Sequence, residues 1–240
     1  MLILGATSDI ANALGEAFAK KGDRIILAGR NMTRLKEIAA DISIRYDVVT
    51  EYLEFDALDY ASHEKFYLDI DPQPDIVICV FGYLGDQEVA QRDWKETESI
   101  IHTNYTGAIS ILNIVANEME KKRSGMIIGI SSVAGDRGKL SNYLYGSAKA
   151  GFTAYLSGLR NRLYHAGVHV LTIKPGFVAT QMTTHLDLPP LLTASPARVA
   201  NDTLKAVSSR KDIVYSLSRW RLLMFIIRNI PEFLFKRLKL

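Results

Sequence analysis

Leu2-Ile3-Leu4-Gly5-Ala6-Thr7-Ser8-Asp9-Ile10-Ala11 opens the chain: three aliphatic residues run straight into a small-residue turn and then into a helical pattern. Consecutive apolar residues do not alternate between core and solvent, so this strand expects cover on both faces, as in a parallel sheet flanked by helices. Gly5 can take backbone conformations closed to other residues. Thr7, Ser8, Asp9 and Ile10 then open a helix whose free N–H groups and dipole suit an anion such as a pyrophosphate. A strand-to-helix turn capped by Asp9 explains the same residues without a ligand.

Outward from that turn the alternation recurs. Short aliphatic or β-branched runs stand at Arg24–Ala28, Val48–Leu53, Asp75–Val80, Met126–Ile130, Val168–Ile173 and Asp212–Tyr215. Between them, apolar residues take helical spacing over Ile10–Lys21, Met32–Ile44, Ala61–Ile70, Trp94–Lys121, Asn142–Ala166 and Pro196–Ser209. This predicts an α/β fold with a doubly wound, mainly parallel seven-stranded sheet in a single domain. A closed barrel needs eight strands, one more than the sequence supplies, and is the weaker alternative.

The second run ends Ala28-Gly29-Arg30-Asn31. In a dinucleotide fold an acid at this point binds the adenosine ribose, whereas an arginine suits a 2′-phosphate. Arg30, with Asn31 beside it, therefore favours NADP(H) over NAD(H). Asp56, after the third run, is placed either to accept from an adenine amino group or to cap the next helix.

Ile130-Ser131-Ser132-Val133-Ala134-Gly135 is followed by Ser141-Asn142-Tyr143-Leu144-Tyr145-Gly146-Ser147-Ala148-Lys149. Tyr145 and Lys149 lie four apart in a helical stretch and share a face, where an ammonium favours a neighbouring phenolate. Ser132 leaves the fifth strand at the carboxyl edge of the sheet, where its hydroxyl can hold a carbonyl oxygen. Tyr143 falls on another face of the helix than Lys149. Ser131 is the second decoy.

At these residues the chain resembles the compact, single-domain short-chain dehydrogenase/reductases, a Rossmann-fold family in which a serine precedes the tyrosine of Tyr-x-x-x-Lys by 13 residues. The resemblance covers residues 2 to about 215. It implies Asn104, in Asn104-Tyr105-Thr106-Gly107, as a fourth catalytic residue beside Ser132, Tyr145 and Lys149. Lys174-Pro175-Gly176-Phe177-Val178-Ala179-Thr180 is similar to the family's Pro-Gly loop, implying cofactor contacts at Pro175, Gly176, Val178 and Thr180. In the family the lysine lowers the tyrosine pKa and bonds the nicotinamide ribose, and the asparagine holds a water. The second and third fingerprint glycines are replaced by Asp9 and Ala11, and the Asn-Asn-Ala-Gly motif reads Cys79-Val80-Phe81-Gly82, which leaves Phe81 and Gly82 as its contacts. The runs 133–149 and 5–10 look most like the branch containing decaprenylphosphoryl-2-keto-ribose reductases. The implied activity is NADP(H)-dependent interconversion of a ketone and a secondary alcohol, with keto-sugars and lipid-linked sugars among the candidate substrates. The alternatives are a regulatory dinucleotide-binding module, which has no use for a Ser–Tyr–Lys set, and a sugar epimerase, which carries a larger C-terminal lobe.

Composition narrows the rest. The 240 residues are 48% apolar and 23% charged, ordinary values that argue against disorder. One cysteine, Cys79, permits no internal disulfide, and five scattered histidines show no zinc or haem spacing, so no metal site is expected. The start Met1-Leu2-Ile3-Leu4 has no basic flank, which points away from secretion and toward the cytoplasm. Net charge is +3, but Arg219–Leu240 holds six Lys/Arg and one acid, so the preceding body is slightly acidic. That distribution argues against nucleic acid. The chain divides at this point into a nucleotide-binding domain, 1–217, and a basic amphipathic tail, 218–240, broken by Pro231. The tail is read either as a peripheral contact with the inner membrane face or as a helix over a cleft or a subunit partner. Residues 181–194 read as a substrate lid in which His185 is expected to face solvent, with a ligand contact as the alternative, and the long helices at 94–121 and 142–166 as contacts in a homo-oligomer, dimer or tetramer.

Overall fold

The computed structural model describes residues 1–184 and 186–238; His185, whose solvent-facing position was expected, lies outside the described residues. Seven parallel strands form the central sheet: β1 (Leu2–Leu4), β2 (Ile25–Gly29), β3 (Thr50–Glu54), β4 (Ile76–Cys79), β5 (Met126–Ile130), β6 (His169–Pro175) and β9 (Ile213–Ser216). Their order is β3-β2-β1-β4-β5-β6-β9, so the winding reverses between β1 and β4. The helices are α1 (Asp9–Ala19), α2 (Met32–Tyr46), α3 (His63–Leu68), α4 (Gln87–Ala90), α5 (Trp94–Ile101), α6 (Gly107–Lys122), α7 (Tyr143–Leu163), α8 (Pro196–Ser208), α9 (Arg219–Asn229) and α10 (Glu232–Phe235).

The unbroken aliphatic strands are explained by two cores. Leu2, Leu4, Ile26 and Ala28 enter one with residues of α3, α6 and α7. Ile3, Ile25 and Leu27 enter the other with residues of α1, α2, α8 and α9. Successive side chains point to opposite faces, so burial on both requires apolar residues throughout.

Three local features depart from the sequence reading. Ser8, not Asp9, caps α1, its Oγ accepting from Ala11 N at 3.3 Å. The single helix expected at 94–121 is α5 and α6 joined by one π-helical turn, His102–Thr106. A short parallel pair, β7 (Phe177–Val178) with β8 (Thr193–Ala194), closes the base of the expected lid. Two-residue strands carry too little pattern to read.

Pro231 separates α9 from α10 as expected, but α9 is no free arm. Trp220 and Met224 are buried in the core, and Trp220 stacks edge-on against Phe177 at 5.5 Å between ring centres. A Cβ on Gly176 would fall 1.9 Å from the Trp220 indole, so only glycine admits this contact. No helix among the described residues is long and apolar enough to cross a membrane. Trp220→Ala is expected to cost about 3–5 kcal/mol, read by urea unfolding, as for other buried large aromatic deletions.

Candidate active site

At the reversal between β1 and β4 the carboxyl ends of two strands lead into separate turns, the place where ligands bind in sheets of this kind. Gly5 follows β1 at φ +89°, and a Cβ there would lie 2.5 Å from that of Phe81, which follows β4. The two turns thus touch through a position that only glycine fills. Gly5 N and Ala6 N both donate to Ala28 O, at 2.8 and 3.0 Å, which ties the turn to the end of β2.

Arg30 leaves β2 exposed, with no carboxylate partner among the described residues. Asn31 caps α2, accepting from Arg34 N at 3.0 Å. Asp56 accepts from Leu58 N at 3.0 Å, forming a local turn. Its carbonyl is also held by the buried His63 ring, which stacks on Phe55 and meets Ser110. Asp9 meets the opposite wall: its carboxylate accepts from Gln181 N at 2.8 Å. Asp9 and Thr180 line a cleft of about 910 Å³ between α1 and the lid. Thr180 and Thr183 cap each other's backbone at the start of that lid.

Asn104, Ser132, Tyr145 and Lys149 meet at the carboxyl edge of β4 and β5. Asn104 sits on the π turn, 1% exposed, donating to Ile100 O at 2.9 Å and Tyr83 O at 2.5 Å and accepting from Tyr83 N at 3.2 Å. Such extra-residue turns recur at functional sites. Gly82 lies between two of the four groups, because a Cβ there would stand 2.8 Å from Asn104 Oδ1 and 3.4 Å from Lys149 Nζ. Ser132 caps the 3₁₀ turn Val133–Asp136, accepting from Ala134 N at 3.1 Å. Gly135 of that turn abuts the Lys149 backbone, where a Cβ would come within 2.7 Å. Ser131 points elsewhere, to Lys149 O and Thr153 Oγ1 at 3.1 and 2.7 Å, and Tyr143 is exposed.

The electrostatics correct one expectation. Burial, rather than the Lys149 ammonium, dominates the Tyr145 phenol. Burial pushes the Tyr145 phenol up to about 12, with the Ser132 hydroxyl pulling it back. Burial pulls the Lys149 ammonium down to about 8. Lys149 Nζ donates to Ile130 O at 3.2 Å and stands 5.8 Å from the Tyr145 ring centre, so desolvation outweighs attraction between them. Cys79 lies near the same ammonium, its thiol driven up to about 12 by burial and therefore held as the neutral form.

Sequence reasoning missed several supporting residues. Gln87 Oε1 accepts from Leu144 N at 3.1 Å, capping the helix that carries Tyr145. Lys174 and Asp136 form a buried ion pair at 2.5 Å, and Tyr215 donates to the same carboxylate at 2.7 Å. This pair ties the Ser132 turn to the Pro175–Gly176 loop. Trp220 Nε1 donates to Leu192 O at 3.0 Å, and Arg219 to Leu191 O, so α9 holds the lid. All these partners are distant in sequence and left no local signal.

A doubly wound sheet with a glycine turn at its reversal, and a buried serine and lysine with a half-buried tyrosine at its carboxyl edge, defines a class of dinucleotide-dependent α/β oxidoreductases. The chain belongs to the short-chain dehydrogenase family, whose model matches residues 1–189. An uncharacterized oxidoreductase of Mycobacterium tuberculosis is 34% identical over 99% of this chain and 96% of its own. A 3-oxoacyl-[acyl-carrier-protein] reductase of Aquifex aeolicus is 29% identical over 77% of this chain and 76% of its own. Among solved structures, a short-chain dehydrogenase from Sphingobium yanoikuyae in complex with NADPH shares the fold with a TM-score of 0.83, 23% identity and 96% of each chain covered. The chain is therefore an oxidoreductase of a nicotinamide-dependent family. Its residues fit such a group: Arg30 is exposed and has no carboxylate partner among the described residues, and Gly82 keeps the space between Asn104 and Lys149 clear.

Lys149 sets a pH signature. Its folded pKa is about 8 against 10.5 when exposed, so between those values the unfolded chain binds the extra proton and stability rises with pH. Urea unfolding of wild type against Lys149→Met should show about 3 kcal/mol of relative wild-type gain across that window. A parallel pH dependence in the two proteins would place the ammonium in water.

Proposed function

We propose that this chain is an NADP(H)-dependent oxidoreductase interconverting a ketone and a secondary alcohol, with Tyr145 as the proton donor. The convergence of Ser132 on the Tyr145 phenol, with Lys149 on the same helix and beside Gly82, carries the reading. When bound, the nicotinamide supplies hydride to the carbonyl carbon. Ser132 donates a hydrogen bond to the carbonyl oxygen and thereby stabilises the charge that develops on it. Tyr145 transfers its proton to that oxygen, and a phenol pKa near 12 keeps the proton in place until the oxygen becomes strongly basic. Lys149, held by Ile130 O, would bond the nicotinamide ribose, as in the family. Asn104 fixes the Tyr83 backbone beside it and, as in the family, would hold the water that reconnects the lysine to solvent.

Arg30, exposed and without an acidic partner among the described residues, supports NADP(H) over NAD(H), with Asn31 beside it and Asp56 on the adenine side. Gly5, Thr7, Ser8, Asp9 and Ile10 would receive the pyrophosphate, and Phe81, Gly82, Pro175, Gly176, Val178 and Thr180 the nicotinamide end. The resemblance of residues 133–149 to the keto-ribose reductase branch supports a keto-sugar, including a lipid-linked one, as substrate. Assembly as a dimer or tetramer through α6 and α7, a cytoplasmic location and a peripheral membrane contact of the tail complete the proposal.

Tyr145→Phe should abolish most ketone reduction while leaving NADPH affinity, measured by fluorescence titration, nearly unchanged; undiminished turnover would sink the assignment. Ser132→Ala should lower kcat about 10²–10³-fold. Arg30→Ala should weaken NADPH far more than NADH, and an equal loss for both would separate Arg30 from the 2′-phosphate.

A further inference from the structure

The C-terminal helices present exposed apolar and basic side chains side by side. Leu222, Phe225 and Ile226 on α9, and Phe233 and Leu234 on α10, are all exposed. Around them stand Arg219, Arg221, Arg228, Lys236 and Arg237, none of which forms an ion pair among the described residues. The segment's one carboxylate, Glu232, is neutralised by Arg137 at 2.9 Å. Arg221 and Arg228 stand two turns apart on one face of α9. With Ser218, Asn229 and Tyr215 they line a cleft of about 630 Å³ that Leu222 and Phe225 complete. Arg228 lies close enough to the Tyr215 phenol to oppose the upward push of its burial.

We propose that this face docks on an anionic lipid bilayer, the Arg221–Arg228 cleft taking the phosphate of a lipid headgroup while Leu222, Phe225, Ile226, Phe233 and Leu234 enter the acyl boundary. The proposal rests on the peripheral membrane reading of the tail and is independent of the reductase assignment. Charge complementarity selects this occupant. In a symmetric contact the same patch meets itself, and two faces that each present Arg219, Arg221, Arg228, Lys236 and Arg237 repel. An anionic leaflet instead attracts each cation, and the apolar side chains between them gain from leaving water.

The surface is also built before it binds. Arg137 donates to the carbonyls of Ile227 and Ile230 at 2.5 and 2.7 Å, and its guanidinium lies 3.6 Å from the centre of the Phe235 ring. Trp220 and Met224 fix α9 from beneath. Docking therefore carries little ordering cost, unlike that of a peptide that must fold on the membrane. Arg219 and Trp220 also hold the lid carbonyls of Leu191 and Leu192, so the helix that docks is joined to the lid.

The test is co-sedimentation of the full chain with phosphatidylcholine vesicles, with and without phosphatidylglycerol, at low and high salt. Binding is expected only with phosphatidylglycerol and should weaken as salt rises. The Arg221→Gln/Arg228→Gln variant should lose about thirtyfold in affinity, about fivefold for each cation removed from the leaflet. Leu222→Ser/Phe225→Ser should also weaken binding, and because both side chains are exposed the variant should fold. NADPH titration and urea unfolding of every variant check the fold without using turnover. Absence of vesicle binding, binding equal on neutral and anionic vesicles, or binding indifferent to Arg221 and Arg228 would overturn the proposal. So would a concentration-dependent oligomer that only these four substitutions disrupt, since that would assign the face to a second copy.

Discussion

A parallel sheet buried on both faces leaves almost nowhere for polar chemistry except the edge where its strands end. Strands β1, β2, β4, β5 and β6 are committed to one or both cores, the edge strand β3 packs only Leu53 against one, and Ser132, Tyr145 and Lys149 gather beyond the carboxyl ends. The reversal between β1 and β4 opens that edge, and the contact of Gly5 with Phe81 sets how closely its two sides approach. Removing either apolar face would take away the cover that keeps Lys149 and Asn104 dry.

Burial then serves as the electrostatic instrument of the site. Tyr145, Lys149 and Cys79 are all shifted in the direction that disfavours charge, and the Ser132 hydroxyl offers the main relief for the phenol. A neutral phenol and a labile ammonium in a dry pocket are poised for proton transfer to an oxygen that becomes basic. The same dryness is costly unless polar groups are matched, which explains the density of backbone contacts around Asn104 and Lys149.

The C-terminal part completes the walls of the site. The Asp136–Lys174 pair links the Ser132 turn to the loop after β6, Tyr215 adds β9 to that link, and Arg137 holds the end of α9. Breaking a buried ion pair by removing one partner leaves an uncompensated charge, so the two loops are bound to move together. Trp220, set against Gly176 and bonded to Leu192 O, joins the lid to this frame.

The strands, the winding and the Ser132–Tyr145–Lys149 spacing were legible because they rest on local pattern: unbroken aliphatic runs, helical periodicity and residues four apart on one helix. Asn104 was legible only through resemblance, and the π turn that displays it left no periodic trace. The residues read as a separate tail show how far local pattern reaches. Their basic amphipathic character is written in the sequence, whereas the burial of Trp220 and Met224 and the grip of Arg137 depend on surfaces brought together from positions far apart. The sequence by itself determined the parallel α/β fold, the family and the reactive side chains, because these follow from periodicity and short spacing. Only the tertiary structure decided that Ser8 caps α1, that Asp9 holds the lid and that Lys149 is a weakened cation near a phenol raised by burial, because hydrogen bonding and desolvation depend on what the fold packs around each group.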